Sequence, residues 1–314
     1  MPDAIREVYG KTLAELGAEN PDIVVLDADL SGSTKSAIFK KAHPERFFNM
    51  GIAESNMVAT AAGLSVTGKI PFVNTFSVFL TTLGLLSARS QICYGNLNVK
   101  FGGAYCGMSD AFDGSTHHAA EDIAVMRSLP GMTVIVPSDA ASARWATRFA
   151  AEHKGPVYLR LSREAYPDIY DRSAKFELGK GAVVKDGADV TVIACGIMTG
   201  KAIEAAGIME SKGVSVRVVD MYSIKPIDSE LILKCAAETG ALVTAEEHNI
   251  FGGLGGAVSE VLAYGGAGAP TEFVGIRDTF TESAPYPLLL AKYGIDAAGV
   301  VSGIEKVLMR KKRP

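Results

Sequence analysis

The sequence predicts an α/β protein of two doubly wound domains, each built on a mostly parallel sheet. Three observations carry this. Short continuous apolar runs, the pattern of strands buried on both faces, alternate with segments of helical periodicity. The 33 glycines lie mostly at the ends of those runs, where an α/β backbone turns tightly. A chain of 314 residues, 48% hydrophobic, supplies two ordinary cores more naturally than one large one.

Residues 4–17 place Ile5, Val8, Tyr9, Leu13 and Leu16 at helical spacing, and residues 23–26 are the first apolar strand run. An Ala-rich helix is expected over 57–64, a strand over 70–73, a helix over 83–92 and a strand over 97–101. Residues 133–136 and 156–161 repeat the strand pattern around a helix at 140–153. These make a first domain, residues 1–165. From 166 to 188 the periodicity fades into Tyr166-Pro167, charges and glycines, which reads as a linker. A second domain, residues 189–314, carries strand candidates at 190–194, 215–220, 241–244 and 273–276, again with helices between them.

The net charge of −4 and an isoelectric point near 5.8 give no basic footprint for nucleic acid or an anionic membrane. The basic run Arg310-Lys311-Lys312-Arg313 reads as a solvated tail. No signal-peptide pattern opens the chain, and no apolar run reaches the roughly 20 residues of a membrane span. Cys93, Cys106, Cys195 and Cys235 are scattered in apolar or Gly-rich surroundings, so they read as buried thiols and the expected location is the cytoplasm.

Several chemistries are missing. There is no Walker lysine motif, no HExxH, no Cys/His zinc spacing and no nucleophile elbow, so no metal site is expected on this chain. The run Gly252-Gly253-Leu254-Gly255-Gly256 looks like a dinucleotide loop, but its spacing puts Val258 where the third glycine belongs. What remains is the stretch 48–57. It places one carboxylate, Glu54, at the start of an apolar helix with no other charged side chain beside it. Alone, that pattern is explained by the helix dipole and the free amides of a first turn.

The surrounding motifs say more. Gly51-Ile52-Ala53-Glu54 followed by Asn56-Met57 resembles the glutamate motif of the pyrimidine-binding domain of transketolases. Thr75-Phe76-Ser77-Val78-Phe79 is similar to the family's Thr-Phe-x-x-Phe segment, and Asp113-Gly114-Ser115-Thr116-His117 to its Asp-Gly-x-Thr-His segment. Asp27-Ala28-Asp29-Leu30 and Leu161-Ser162-Arg163 fall in the expected order. Glu246-Glu247-His248 with Gly252-Gly253-Leu254-Gly255 resembles the transketolase C-terminal domain. The likeness runs from about Arg6 to about Val307.

The resemblance implies thiamine diphosphate as cofactor, with Glu54 bonded to the aminopyrimidine so that its imino group can take the thiazolium C2 proton. Phe76 and Phe79, three apart and expected on one side of a helical turn, would stack on and line the pyrimidine pocket. Asp29 would sit near the cofactor at a strand's carboxyl end. His117 and Asp113 would face the sugar, with His117 catalytic. Arg6, Ser33 and Arg163 would hold its phosphate, which arginine grips in a bidentate way. His118 is expected to point elsewhere.

Two positions depart from the family. Tyr105 stands where many transketolases carry a histidine, and Thr82 near the place of a further aromatic. A phenol can hydrogen-bond a phosphate but brings no positive charge. The Gly-Asp-Gly…Asn signature that holds the diphosphate through a cation such as Mg²⁺ is absent: Asp186-Gly187 and Asp113-Gly114 lack the preceding glycine and the downstream partner. The resemblance therefore implies a separate N-terminal subunit carrying that domain and its Mg²⁺, most simply in an α2β2 assembly, moving two-carbon ketol units between sugar phosphates. Rival readings are the β-subunit of a 2-oxo acid dehydrogenase E1 component, an enzyme like 1-deoxyxylulose 5-phosphate synthase, and a non-catalytic partner subunit.

Overall fold

The computed structural model describes residues 3–171 and 173–311. Among these described residues twelve strands form two sheets. The first sheet takes β1 (Ile23–Asp27), β2 (Phe47–Asn49), β3 (Ile70–Phe76), β4 (Lys100–Ala104), β5 (Thr133–Ile135) and β6 (Val157–Leu161). The second takes β7 (Ala182–Lys185), β8 (Val190–Ala194), β9 (Val216–Asp220), β11 (Leu242–Asn249) and β12 (Thr271–Ile276), while β10 (Ser223–Lys225) returns to the first. The orders are β10-β5-β6-β4-β3-β1-β2 and β12-β11-β8-β9-β7. Only the edge strands β10 and β7 run antiparallel, so both sheets are the mostly parallel kind expected.

Burial explains the strand signal: β1, β4, β6 and β8 are buried at every position, which is why they read as unbroken apolar runs. The strand expected at 97–101 lies three residues later because Gly102 and Gly103 resemble a turn. They are strand residues beneath aromatic rings: a Cβ on Gly102 would come within 2.6 Å of Tyr9 Oη, and one on Gly103 within 2.5 Å of Tyr158 Cε2. The helix expected over 83–92 is a short turn, Leu85–Ser87, running into a π-helical stretch, Ala88–Cys93. Residues 182–185, read as linker, form edge strand β7 on β9. The segment before it is also pinned, since Ile169 N and Tyr170 N both donate to Asp139 Oδ2, at 3.0 and 2.9 Å.

The basic C-terminal run is not a free tail where it is described. Arg310 and Lys311 belong to the helix Ala297–Lys311; Arg310 Nη2 donates to Thr271 O, and Lys311 Nζ to Asp189 O and Thr239 O. Lys312 and Arg313 lie outside the described residues. The stretch Tyr286–Lys311 has the length and mean hydropathy, 1.2, of a membrane span. Gly294, at φ +67°, divides it into two helices, and the second buries Val300, Ile304 and Val307 in the core that also holds Val243 and Val274. All four cysteines are buried and free.

Candidate active site

Open parallel sheets expose their ligand-binding crevice at the carboxyl ends of the strands. Every residue offered for the cofactor or the sugar lies at that edge of the first sheet or on a helix entering it. Asp29 and Ser33 follow β1, Glu54 follows β2, Phe76 ends β3, Tyr105 follows β4 and Arg163 follows β6.

Glu54 opens the helix Glu54–Val66 and is only 4% exposed. Gly51, at φ +70°, turns the chain into it. Thr75 Oγ1, one residue from the end of β3, donates to Glu54 Oε1 at 3.2 Å. Among the described residues Oε2 has no donor, so one face of this buried carboxyl is left for something outside the chain. Asp29 is exposed and ties to the same turn, because Asn49 Nδ2 donates to Asp29 Oδ1 at 2.8 Å while Asn49 Oδ1 accepts from Gly51 N at 3.0 Å.

An aromatic cluster gathers on Phe76, the residue after Thr75. Phe76 and Phe79 are not on one helical turn as expected. Phe76 ends the strand and Phe79 sits in the helix Ser77–Thr82, yet their rings stack with centroids 6.0 Å apart. His117 meets Phe79 edge-on at 5.2 Å, and Phe76 lies 4.3 Å from the Tyr105 ring. Thr116 Oγ1 lies 3.0 Å from His117 Nδ1 and orients the ring. Thr82, at the place of the further family aromatic, faces solvent and bonds back to Val78 O. His118 does point elsewhere: it is buried, and its Nδ1 lies 2.6 Å from Thr281 Oγ1 of the second domain.

The two arginines converge on Tyr105. The Arg6 guanidinium lies 5.1 Å from the ring centroid and that of Arg163 5.3 Å, so the phenol is flanked by two cations. Arg6 Nη1 donates to Tyr105 Oη at 2.6 Å and to Ser33 O at 2.8 Å. It is thus the backbone of Ser33 that touches Arg6. Among the described residues Arg6 Nε is buried without a partner, a donor held in reserve. Tyr105 has φ +57°, a left-handed conformation rare for an aromatic residue and held here by Phe76 and the arginines.

Supports under the edge stood in the quoted motifs without a role of their own. Asp27 is buried and accepts from Thr34 Oγ1 at 2.7 Å, Ser36 Oγ at 2.8 Å and Leu30 N at 2.6 Å, fixing the loop that carries Ser33. Burial pushes its pKa up against those bonds. Glu247 of β11 accepts from Met108 N at 2.8 Å and Tyr286 Oη at 3.0 Å, holding the loop between Tyr105 and Asp113 against the second domain. Its carboxyl is pushed up to about 7 by burial. Glu246 plays a different part. Its two oxygens accept from Leu254 N and Gly255 N, at 2.7 and 2.8 Å, and cap the helix Leu254–Tyr264. The glycine run that resembled a dinucleotide loop is therefore a bed for a carboxylate, since a Cβ on Gly253 would collide with Glu246 Oε2.

Comparison with known proteins agrees with this arrangement. Residues 2–168 match the family model "Transketolase, pyrimidine binding domain" and residues 179–300 match "Transketolase, C-terminal domain". A chain of Methanocaldococcus jannaschii provisionally named transketolase C-terminal section is 43% identical, over 98% of this chain and 97% of its own length. The 6-deoxy-6-sulfo-D-fructose transketolase subunit SqwH of Clostridium sp. is 38% identical, over 98% of this chain and 95% of its own. A solved structure titled "Split gene transketolase, inactive beta4 tetramer" superposes with a TM-score of 0.90 at 51% identity, covering 99% of this chain and 100% of that one. Both domains, the fold and these relatives place the chain in the transketolase family, as a subunit of the split kind.

Proposed function

We propose that this chain is the cofactor-activating subunit of a split transketolase that transfers a two-carbon ketol unit between sugar phosphates, together with a separate diphosphate-binding subunit. The observation that carries the reading is Glu54: a buried carboxyl at the sheet's ligand edge, bonded among the described residues on one oxygen only, through Thr75, the neighbour in sequence of the stacked Phe76. That donor set fits the aminopyrimidine of thiamine diphosphate, which needs a carboxyl for a ring nitrogen and apolar rings for its faces. When bound, the cofactor supplies the nucleophilic carbon that attacks a ketose carbonyl.

The chain's own residues do the rest. Glu54 Oε2 would share a proton with the pyrimidine nitrogen, which has none of its own in the amino form, while Thr75 holds Oε1 in place. Phe76 and Phe79 hold the ring and keep water from it. His117, edge-on to Phe79, donates to and accepts from sugar hydroxyls, and Asp113 accepts from another. Arg6 and Arg163 receive the substrate's anionic end, with Tyr105 between them. The sequence lacks a Gly-Asp-Gly…Asn run, which supports leaving Mg²⁺ and the diphosphate to the partner. The cytoplasm is the expected site of action.

The test is co-expression with a subunit carrying that signature, then assay with xylulose 5-phosphate, ribose 5-phosphate, thiamine diphosphate and Mg²⁺. Activity is expected only from the pair, and Glu54→Gln is expected to reduce ketol transfer by at least about a hundredfold with the fold unchanged. Activity of this chain alone, or full activity of the Gln variant, would overturn the reading. A sulfonated sugar belongs in the same assay, because the neutral Tyr105 lowers the positive charge of the anion pocket and SqwH is named for such a substrate.

A further inference from the structure

The loop after β4 carries a carboxyl that the reading above does not use. Asp110 is 2% exposed, and its Oδ2 is sealed from solvent with no hydrogen-bond donor among the described residues. Its Oδ1 lies 3.4 Å from Arg163 Nη1, a long contact that leaves most of the guanidinium free. Asp113 N donates to Asp110 O at 3.0 Å, closing one turn, and this brings the Asp113 carboxyl within hydrogen-bonding reach of the Asp110 carboxyl. Two carboxylates cannot bond to each other; a carboxylic acid and a carboxylate can. The other groups facing Asp110 are Arg6, from the helix Ile5–Glu19, and His118, which lies against the Asp110 carbonyl and is kept neutral by burial. Neither supplies Oδ2 with a donor. A proton on Asp110 is what satisfies the pair.

We propose that Asp110 is a positioning residue of the sugar site: it holds a proton, donates it to the Asp113 carboxylate, and so keeps Asp113 fixed as an acceptor and Arg163 free for the substrate's anionic end. The proposal rests on the reading of Asp113 and Arg163 as sugar-site residues, which the ketol-transfer assay tests by itself. Burial, then the Asp113 charge, raise the Asp110 carboxyl to about 7, while Arg163 and Arg6 pull it down. Rising pH therefore ionises Asp110 near neutrality. The two carboxylates then repel across one turn, and Asp110 draws the Arg163 guanidinium to itself. The pocket loses affinity for anions.

The test needs neither cofactor nor partner. The full chain, with ¹³C-labelled aspartate carboxyls, is titrated by NMR between about pH 5 and about pH 9. Besides Asp220, whose carboxyl burial raises to about 6, one carboxyl should titrate near 7, and that step should vanish in Asp110→Asn, which keeps the shape and a donor. In Asp113→Asn the step should move to lower pH, an independent check that does not require the first variant to fold. Sulfate, whose charge is constant over this range, is the anion probe in calorimetry. Its affinity for the wild type should fall at least about fivefold from about pH 6 to about pH 8, stay flat in Asp110→Asn and be weak throughout in Arg163→Ala. A missing step near 7, or one that survives in Asp110→Asn, overturns the proposal. So does sulfate binding that is undetectable or independent of pH in the wild type. Loss of ketol transfer with these titrations intact would instead count against the proposed function.

Discussion

Replacing Arg160 with methionine should destabilise the chain more than any surface change, and the structure says by how much. Arg160, on β6, and Asp122 are 3% and 0% exposed and make a two-point ion pair, with Nε to Oδ2 at 2.8 Å and Nη2 to Oδ1 at 3.0 Å. Nη2 also donates to Ala119 O at 3.3 Å and to Glu247 O at 2.8 Å. One guanidinium thus joins the first sheet, the loop just after His117 and the second domain. In Arg160→Met the Asp122 carboxylate stays buried with, among the described residues, only Tyr158 Oη, at 2.7 Å, to support it. Removing one partner of such a pair costs about 3–5 kcal/mol, because the other charge is left in a medium that cannot solvate it. At roughly 2–4 °C per kcal/mol this is a fall of about 10 °C in Tm. Urea unfolding followed by circular dichroism measures it. Adding Asp122→Asn should recover a large part of the loss, since the uncompensated charge goes with it. A loss below about 1 kcal/mol, or a double variant no better than the single one, would refute the reasoning.

Asp220 accepts from Ser138 Oγ at 2.6 Å, Thr199 Oγ1 at 3.0 Å and Tyr170 Oη at 2.7 Å, yet burial raises its carboxyl to about 6. The folded chain then holds a proton that the unfolded chain releases near the ordinary Asp value of about 3.9, so the associated stability is complete below that pH and is lost as pH rises through 6. Asp220→Asn should remove that loss: its urea midpoint should gain on the wild type across this window, by about 2–3 kcal/mol at most, and parallel curves would contradict the assignment. Gly253→Ala should cost about 1–3 kcal/mol in the same assay, because its Cβ would collide with the Glu246 carboxylate that caps the next helix. Gly256→Ala, whose Cβ would meet nothing nearer than 3.7 Å, should be neutral or slightly stabilising.

The alternation of apolar runs and helical segments made the α/β class legible, because most strands are buried on both faces and alternation along a strand is unnecessary. What escaped was short or glycine-bearing. β10 has three residues and β7 four, too few for a period to register. Gly102 and Gly103 look like a turn until the rings of Tyr9 and Tyr158 are seen lying over them. The candidate site residues were found through motifs, and the fold does gather Glu54, Phe76, Phe79, His117, Arg6 and Arg163 on one sheet edge. Asp110 and Arg160 were invisible for a physical reason. Their interest lies in burial and in partners 53 and 38 residues away, neither of which a linear pattern records.

The strand β10 has a consequence for how such a chain could be divided. It lies beyond the 166–188 segment, yet Ser223 and Lys225 pair with Ile135 and Val134 of β5, and Lys225 Nζ reaches Arg127 O and Leu129 O. A cut in that segment would therefore not release two finished halves. It would strip the N-terminal piece of its last strand and expose the backbone of β5 as an adhesive edge. Gene scission or shuffling within this chain has no safe seam there, because the strand that finishes the first sheet is encoded beyond it.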